Sequence, residues 1–188
     1  MRGESYYEPF FYSSILVTFF IALFALLIIA ALLHSKMDRL SPKVIYFYAV
    51  SLVGLLFLCD GVSVLITMAA DLLASLGTLN NDIKKAFVSC VSVLIVAVPL
   101  YFFHWLQVRR GLGVDEEVKL AWPYYKFTVL GLSAVGTACF LIVIFYQSLN
   151  GALGLSKFNL DAFNKVLGSG LVGMAVWLYH WFTKVGAD

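Results

Sequence analysis

The residues with chemistry to offer are three histidines, one acid inside an apolar stretch, and two aromatic tips followed by basic residues. His34, His104 and His180 stand near the ends of long apolar runs. A neutral imidazole ligates haem iron or a chlorophyll magnesium, and histidines on facing helices form such a site. His104 and His180 are therefore candidate ligands for a haem- or (bacterio)chlorophyll-type cofactor. The same residues also suit a plainer role at the headgroup boundary, where a cation at a helix C-terminus gains about 0.3–1 kcal/mol from the dipole. On that account Trp105, Trp181, Tyr46, Tyr125, Arg109 and Arg110 are interface anchors. Asp60 lies well inside the apolar run Phe57-Leu58-Cys59-Asp60-Gly61. A charge there costs about 2.5–3.5 kcal/mol on insertion scales, which makes Asp60 a candidate ion or proton site. A protonated Asp60 bonded to Ser63, Ser89 or Ser92 is the alternative.

Positioning these groups requires helices that a bilayer can solvate. The 188 residues are 62% hydrophobic and 13% charged, with a mean hydropathy of +0.91. A water-soluble domain carries roughly 25% charged residues, so this surface cannot all face water. The 16% aromatic content suits interfacial belts. A net charge of +2 with scattered basic residues argues against nucleic-acid binding. Cys59, Cys90 and Cys139 each sit in an apolar run and read as small packing residues rather than disulfides or metal ligands. Neither a P-loop, a dinucleotide fingerprint, zinc spacing nor a Ser-His-Asp set in local context is present. The expectation is a protein that is not an enzyme.

Taken in order, the chain predicts five transmembrane helices. Phe10 to Leu33 carries no charge and spans about 36 Å as a helix, enough to cross a ~30 Å core. It is longer than the apolar region of a signal peptide, so a retained leading helix is expected. Ser41-Pro42 starts the next helix, with serine as cap and proline in the first turn. That helix should run from Val44 to Leu76. Gly77 to Asp82 is a turn, and a third helix, containing Pro99, covers Ile83 to Val108. Gly113 to Lys119 reads as a charged, solvated loop. The fourth helix is expected over Ala121–Leu149 and the fifth over Leu160–Lys184. Lys36, Arg39, Lys43, Arg109, Arg110, Lys119 and Lys184 share one side. They outnumber Arg2, Lys84, Lys85, Lys157 and Lys165 on the other. The positive-inside rule then places the N-terminus outside and the C-terminus in the cytoplasm.

The last four helices look duplicated. Sliding the third onto the fifth aligns Tyr101 with Trp177 and His104-Trp105 with His180-Trp181. Sliding the second onto the fourth aligns Tyr46-Phe47-Tyr48 with Tyr125-Lys126-Phe127. The expected fold is all-α: an N-terminal helix and inner loop (1–42) precede two parallel hairpin repeats (43–110 and 120–185) related about the membrane normal. Ser133 with Thr137, and Ser169 with Gly173, have the small-x-x-x-small spacing of close helix contacts.

On Tyr46, Tyr48, His104, Trp105, Arg109, Tyr125, His180 and Trp181, residues 43–184 resemble an uncharacterised bacterial family of multi-helix membrane proteins, described only as a domain of unknown function. Thr183-Lys184 departs from it, since arginine is more typical after the second His-Trp. The resemblance implies a multi-helix membrane fold, expected in a bacterial inner (plasma) membrane, and implies nothing about activity.

The expected function is a non-catalytic accessory or structural subunit of a larger membrane complex. Its partners would be the lipid bilayer and other integral membrane subunits. The alternatives are cofactor binding through His104 and His180, and a small ion or proton transporter using Asp60.

Overall fold

A computed structural model describes residues 17, 20–21, 23–25, 40–74, 81–112, 114–155 and 160–183. Among them the secondary structure is helical: α1 (Pro42–Ala74), α2 (Asn81–Leu112), α3 (Glu116–Ala152) and α4 (Leu160–Phe182). The described positions of the leading stretch are helical too; Phe20, Leu23 and Phe24 are exposed and Ala25 is buried against the core. Of the turn expected over 77–82, Asn81 and Asp82 belong to α2 and the rest lies outside the described residues, as do His34 and the link 156–159 between α3 and α4.

α1, α2 and α3 are each long and apolar enough to cross a membrane, whereas α4 contributes a shorter apolar stretch, Val166–Phe182. The 33 residues of α1 extend about 50 Å. α1 begins where Ser41-Pro42 predicts, with the amides of Val44 and Ile45 closing onto the Ser41 carbonyl.

α2 is longer at both ends than the expected 83–108, and the start of α3 is corrected. Residues 116–120 are helical, so α3 starts at Glu116 rather than Ala121. Asp115 caps it by accepting from the Glu117 amide at 2.9 Å, and Glu116 and Glu117 place negative charge at the positive end of the helix. The stretch taken for a solvated loop therefore buries Val118, which packs where Gly111 leaves room. At the far end of α3, Gly154 adopts φ +67°, and the Leu155 amide bonds back to the Asn150 carbonyl.

α1 pairs with α2, and α3 with α4, as two antiparallel hairpins. The starts of α1 and α3 and the ends of α2 and α4 meet at one end of the bundle, which also carries Lys43, Arg109, Arg110 and Lys119. At this basic end the Ser41 amide donates to Glu117 Oε2 at 2.7 Å, and the Tyr48 hydroxyl donates to the Val118 carbonyl at 2.8 Å. Further along, the hairpins join through α1 and α4. Gly168 lies on the Ser63 carbonyl, Thr67 donates to the Asn164 carbonyl at 3.1 Å, and Asn164 Nδ2 donates to Asp71 at 2.9 Å. Within the second hairpin, Gly173 rests on Ser133 and Thr137, so these small residues do meet across α3 and α4. α2 and α4 have almost no backbone contact with each other.

Candidate functional site

The basic end encloses a cluster of rings built from all four helices. Tyr125 of α3 is its centre and is 1% exposed. Around it stand Tyr48 at 5.2 Å, Trp105 at 5.8 Å, Trp122 at 5.9 Å and His180 at 6.1 Å between ring centroids. Tyr101 stacks on Trp105 at 6.1 Å with planes 9° apart. The Tyr125 hydroxyl and the Ser51 hydroxyl lie 3.3 Å apart. Offset and edge-on ring pairs contribute about 0.5–1.5 kcal/mol each beyond area burial. Helical spacing explains the convergence: Val44, Tyr48, Leu52 and Leu55 fall on one face of α1, and Tyr101, Trp105 and Val108 on one face of α2.

The two histidines differ. In His104, Nδ1 lies 2.7 Å from the Leu100 carbonyl and Nε2 lies 3.2 Å from the Tyr46 hydroxyl. A carbonyl only accepts, so Nδ1 donates and Nε2 accepts from Tyr46. Both nitrogens are matched, and the ring packs on Tyr46 and Phe47 of its own hairpin. In His180, Nδ1 donates to the Val176 carbonyl at 3.0 Å. Its Nε2 is buried without a hydrogen-bond partner, and the residue is 1% exposed. Trp105 lies 5.9 Å and Tyr179 5.0 Å from the ring. Lys126 Nζ crosses from α3 to donate to the carbonyls of Trp181 (3.4 Å) and Thr183 (3.2 Å), closing the end of α4.

The six candidate anchors separate into two groups. Trp105 and Tyr125 are interior, at 4% and 1% exposed, and cannot reach headgroups as they stand. Trp181 and Tyr46 are 55% and 54% exposed, and Arg109 and Arg110 are also exposed. His104 and His180 share the basic end but face different neighbours. Asp60 is half-buried on α1, and the hydroxyls of Ser63 and Ser92 donate to carbonyls of their own helices. Among the described residues no group of three or more His, Cys, Asp or Glu is arranged to hold a metal. Sequence reasoning gave no site role to Tyr48, Ser51, Trp122 or Lys126. For Lys126 one signal was available: the alignment of Tyr46-Phe47-Tyr48 with Tyr125-Lys126-Phe127 puts Lys126 beside the second histidine where Phe47 sits beside the first.

No curated protein and no solved structure matches the chain. The family model described as a domain of unknown function (DUF5671) matches residues 45–179, which begins within α1 and ends within α4. The chain that builds this four-helix arrangement therefore belongs to the DUF5671 family.

Proposed function

We propose that this protein is an integral membrane subunit without catalytic activity that works through lateral contact with neighbouring membrane proteins. The observation that carries the proposal is the inverted distribution of polarity. Ser51, His104, Ser133, Gln147, Asn164 and His180 are buried, while Ile95, Val96, Phe103, Ile142, Phe145 and Leu149 are exposed. In water each of those exposed side chains would forfeit roughly 1.5–3 kcal/mol of burial. In a bilayer they are solvated, and the helices are held together instead by close packing and by hydrogen bonds such as Tyr48 to Val118. The excess of lysine and arginine at the basic end orients that end toward the cytoplasm of a bacterial inner membrane, with the leading segment outside.

The two hairpins are read as parallel repeats. Aligning Tyr46 with Tyr125 and His104 with His180 also aligns Gly61 with Phe140 and Leu94 with Gly170. Gly61 packs against Leu94 in one hairpin and Phe140 against Gly170 in the other. Each contact joins one glycine to one large residue, with the two sizes exchanged between helices.

Mild detergent extraction of native membranes followed by native electrophoresis tests the proposal. The chain is expected in a band larger than itself, with other polypeptides. Migration as a solitary monomer would remove the lateral-contact reading and leave the membrane reading to be judged by whether carbonate washing releases the protein.

A further inference from the structure

We infer that His180 is a pH-sensitive latch: the packed basic end admits only its neutral ring, and the attachment of α4 to α3 at that end weakens as the pH falls below neutral. The inference rests on the four-helix packing and not on the lateral-contact reading. Nδ1–H is committed to the Val176 carbonyl, so the second proton of an imidazolium must go to Nε2. Nε2 is buried without a hydrogen-bond partner, in a residue 1% exposed. Protonation there would bury a charge together with a donor that nothing accepts from, and both are disfavoured away from water.

The groups around the ring do not help an imidazolium. From α3 come Tyr125, whose hydroxyl lies beside Ser51, and the Lys126 ammonium. α2 presents the uncharged ring of Trp105, with Tyr101 stacked on it and Arg109 one turn beyond. From α1, Tyr48 packs on Tyr125 and gives its proton to the Val118 carbonyl. Tyr179 is the neighbour on its own helix. The acids of this end are engaged elsewhere: Asp115 on the Glu117 amide, Glu116 on Lys119 and Glu117 on the Ser41 amide. A helix C-terminus ordinarily attracts a cation to its free carbonyls. Here Lys126 already holds those of Trp181 and Thr183. His104 differs, because its Nε2 accepts from the Tyr46 hydroxyl, and that hydroxyl can turn and accept instead once the ring is protonated. The sensitivity therefore belongs to one of these two histidines. An unfolded chain takes the proton that the packed end refuses, so stability is full above the ordinary imidazole value of about 6.5 and is lost as the pH falls below it.

The test is thermal unfolding of the full chain in an uncharged detergent, followed by tryptophan fluorescence between about pH 8 and about pH 5.5, above the range in which carboxylates ordinarily titrate. The midpoint is expected to hold steady down to about pH 7 and to fall by several degrees at the acid end. His104→Phe should keep that fall. His180→Phe, which has no proton to take, should show a midpoint independent of pH, whatever its absolute value. Lys126→Met, which removes the neighbouring charge, should move the fall to lower pH by roughly a few tenths of a unit. A midpoint that rises in acid would overturn the inference, because the last carbonyls of α4 would then be stabilising an imidazolium. A fall that survives in His180→Phe would place the titration on another group and overturn it too. If His180→Phe does not fold, the Lys126→Met series decides alone, and a fall unmoved by it removes the latch. A flat midpoint in the unmodified chain removes it as well.

Discussion

Gly168 of α4 sits so close to the Ser63 carbonyl of α1 that a methyl group has no room between them. The obstacle is backbone, which cannot rotate away as a side-chain tip can. Gly168→Ala should therefore push the two hairpins apart. Overpacking of this kind costs about 1–3 kcal/mol, more than the gain of roughly 0.5–1 kcal/mol from replacing a helical glycine. Gly136 in α3 is the control, since a Cβ there meets nothing within 4 Å. Thermal unfolding in detergent should show Gly168→Ala lowered by several degrees and Gly136→Ala unchanged or raised. A fall in both would mean that the exposed face of α3 is a packed one.

The Tyr48 hydroxyl joins the hairpins at the other level, through the Val118 carbonyl at 2.8 Å. Tyr48→Phe keeps the ring against Tyr125, 5.2 Å away, and removes the bond alone. Interhelical bonds in membrane proteins average about 0.6 kcal/mol, so the expected destabilisation is roughly 0.5–1 kcal/mol. Tyr48→Ala should cost several times more, because it also empties a ring site. Unfolding by graded denaturing detergent compares the two. Equal losses would show that the hydroxyl, and not the ring, holds this junction.

Asp115 and Glu117 fix the start of α3 in different ways. Asp115 caps the helix, and Glu117 reaches across to the Ser41 amide at 2.7 Å. Asp115→Ala should cost about 1 kcal/mol. Asp115→Asn, which can still accept from the Glu117 amide, should cost a few tenths. The double variant Asp115→Ala with Glu117→Ala should lose less than the sum, since both act on one junction. A thermal-shift series checks this, and strict additivity would mean that the cap and the cross-link act independently.

How much of this was legible before the structure depended on what the sequence contrasts. The helical character of α1 to α4 was legible because long uncharged runs against short polar breaks leave little choice. Asp115-Glu116-Glu117 is a helix-start signal, yet its charge density reads as a loop when Val118 is not known to be buried. Which face packs was not legible: α1 is apolar on every side, so Val44, Tyr48, Leu52 and Leu55 look like their lipid-facing neighbours. For the same reason Trp105 reads as a headgroup anchor. A tryptophan at a helix end suits either the interface or a core, and only the arrival of Trp122 and Tyr125 from α3 decides it. The two histidines look equivalent in sequence. They differ because Tyr46 is free to turn its hydroxyl to His104, whereas Tyr125 holds its own beside Ser51.

The membrane setting itself makes a prediction at the middle of the helices. Val96 of α2 and Val135 of α3 are 66% and 64% exposed. If water surrounded them, a lysine at either site would be neutral or would improve solubility. If hydrocarbon surrounds them, each lysine costs about 2.5–3.5 kcal/mol at the centre of a span. Val96→Lys and Val135→Lys should therefore reduce the fraction of chain resisting carbonate extraction. Lysine at Val114, exposed at the basic end beyond the apolar core of α2, should not. The contrast between the middle and the end of a helix is what a bilayer imposes and an aqueous surface does not. Equal tolerance at all three positions would mean that water, rather than hydrocarbon, surrounds these faces.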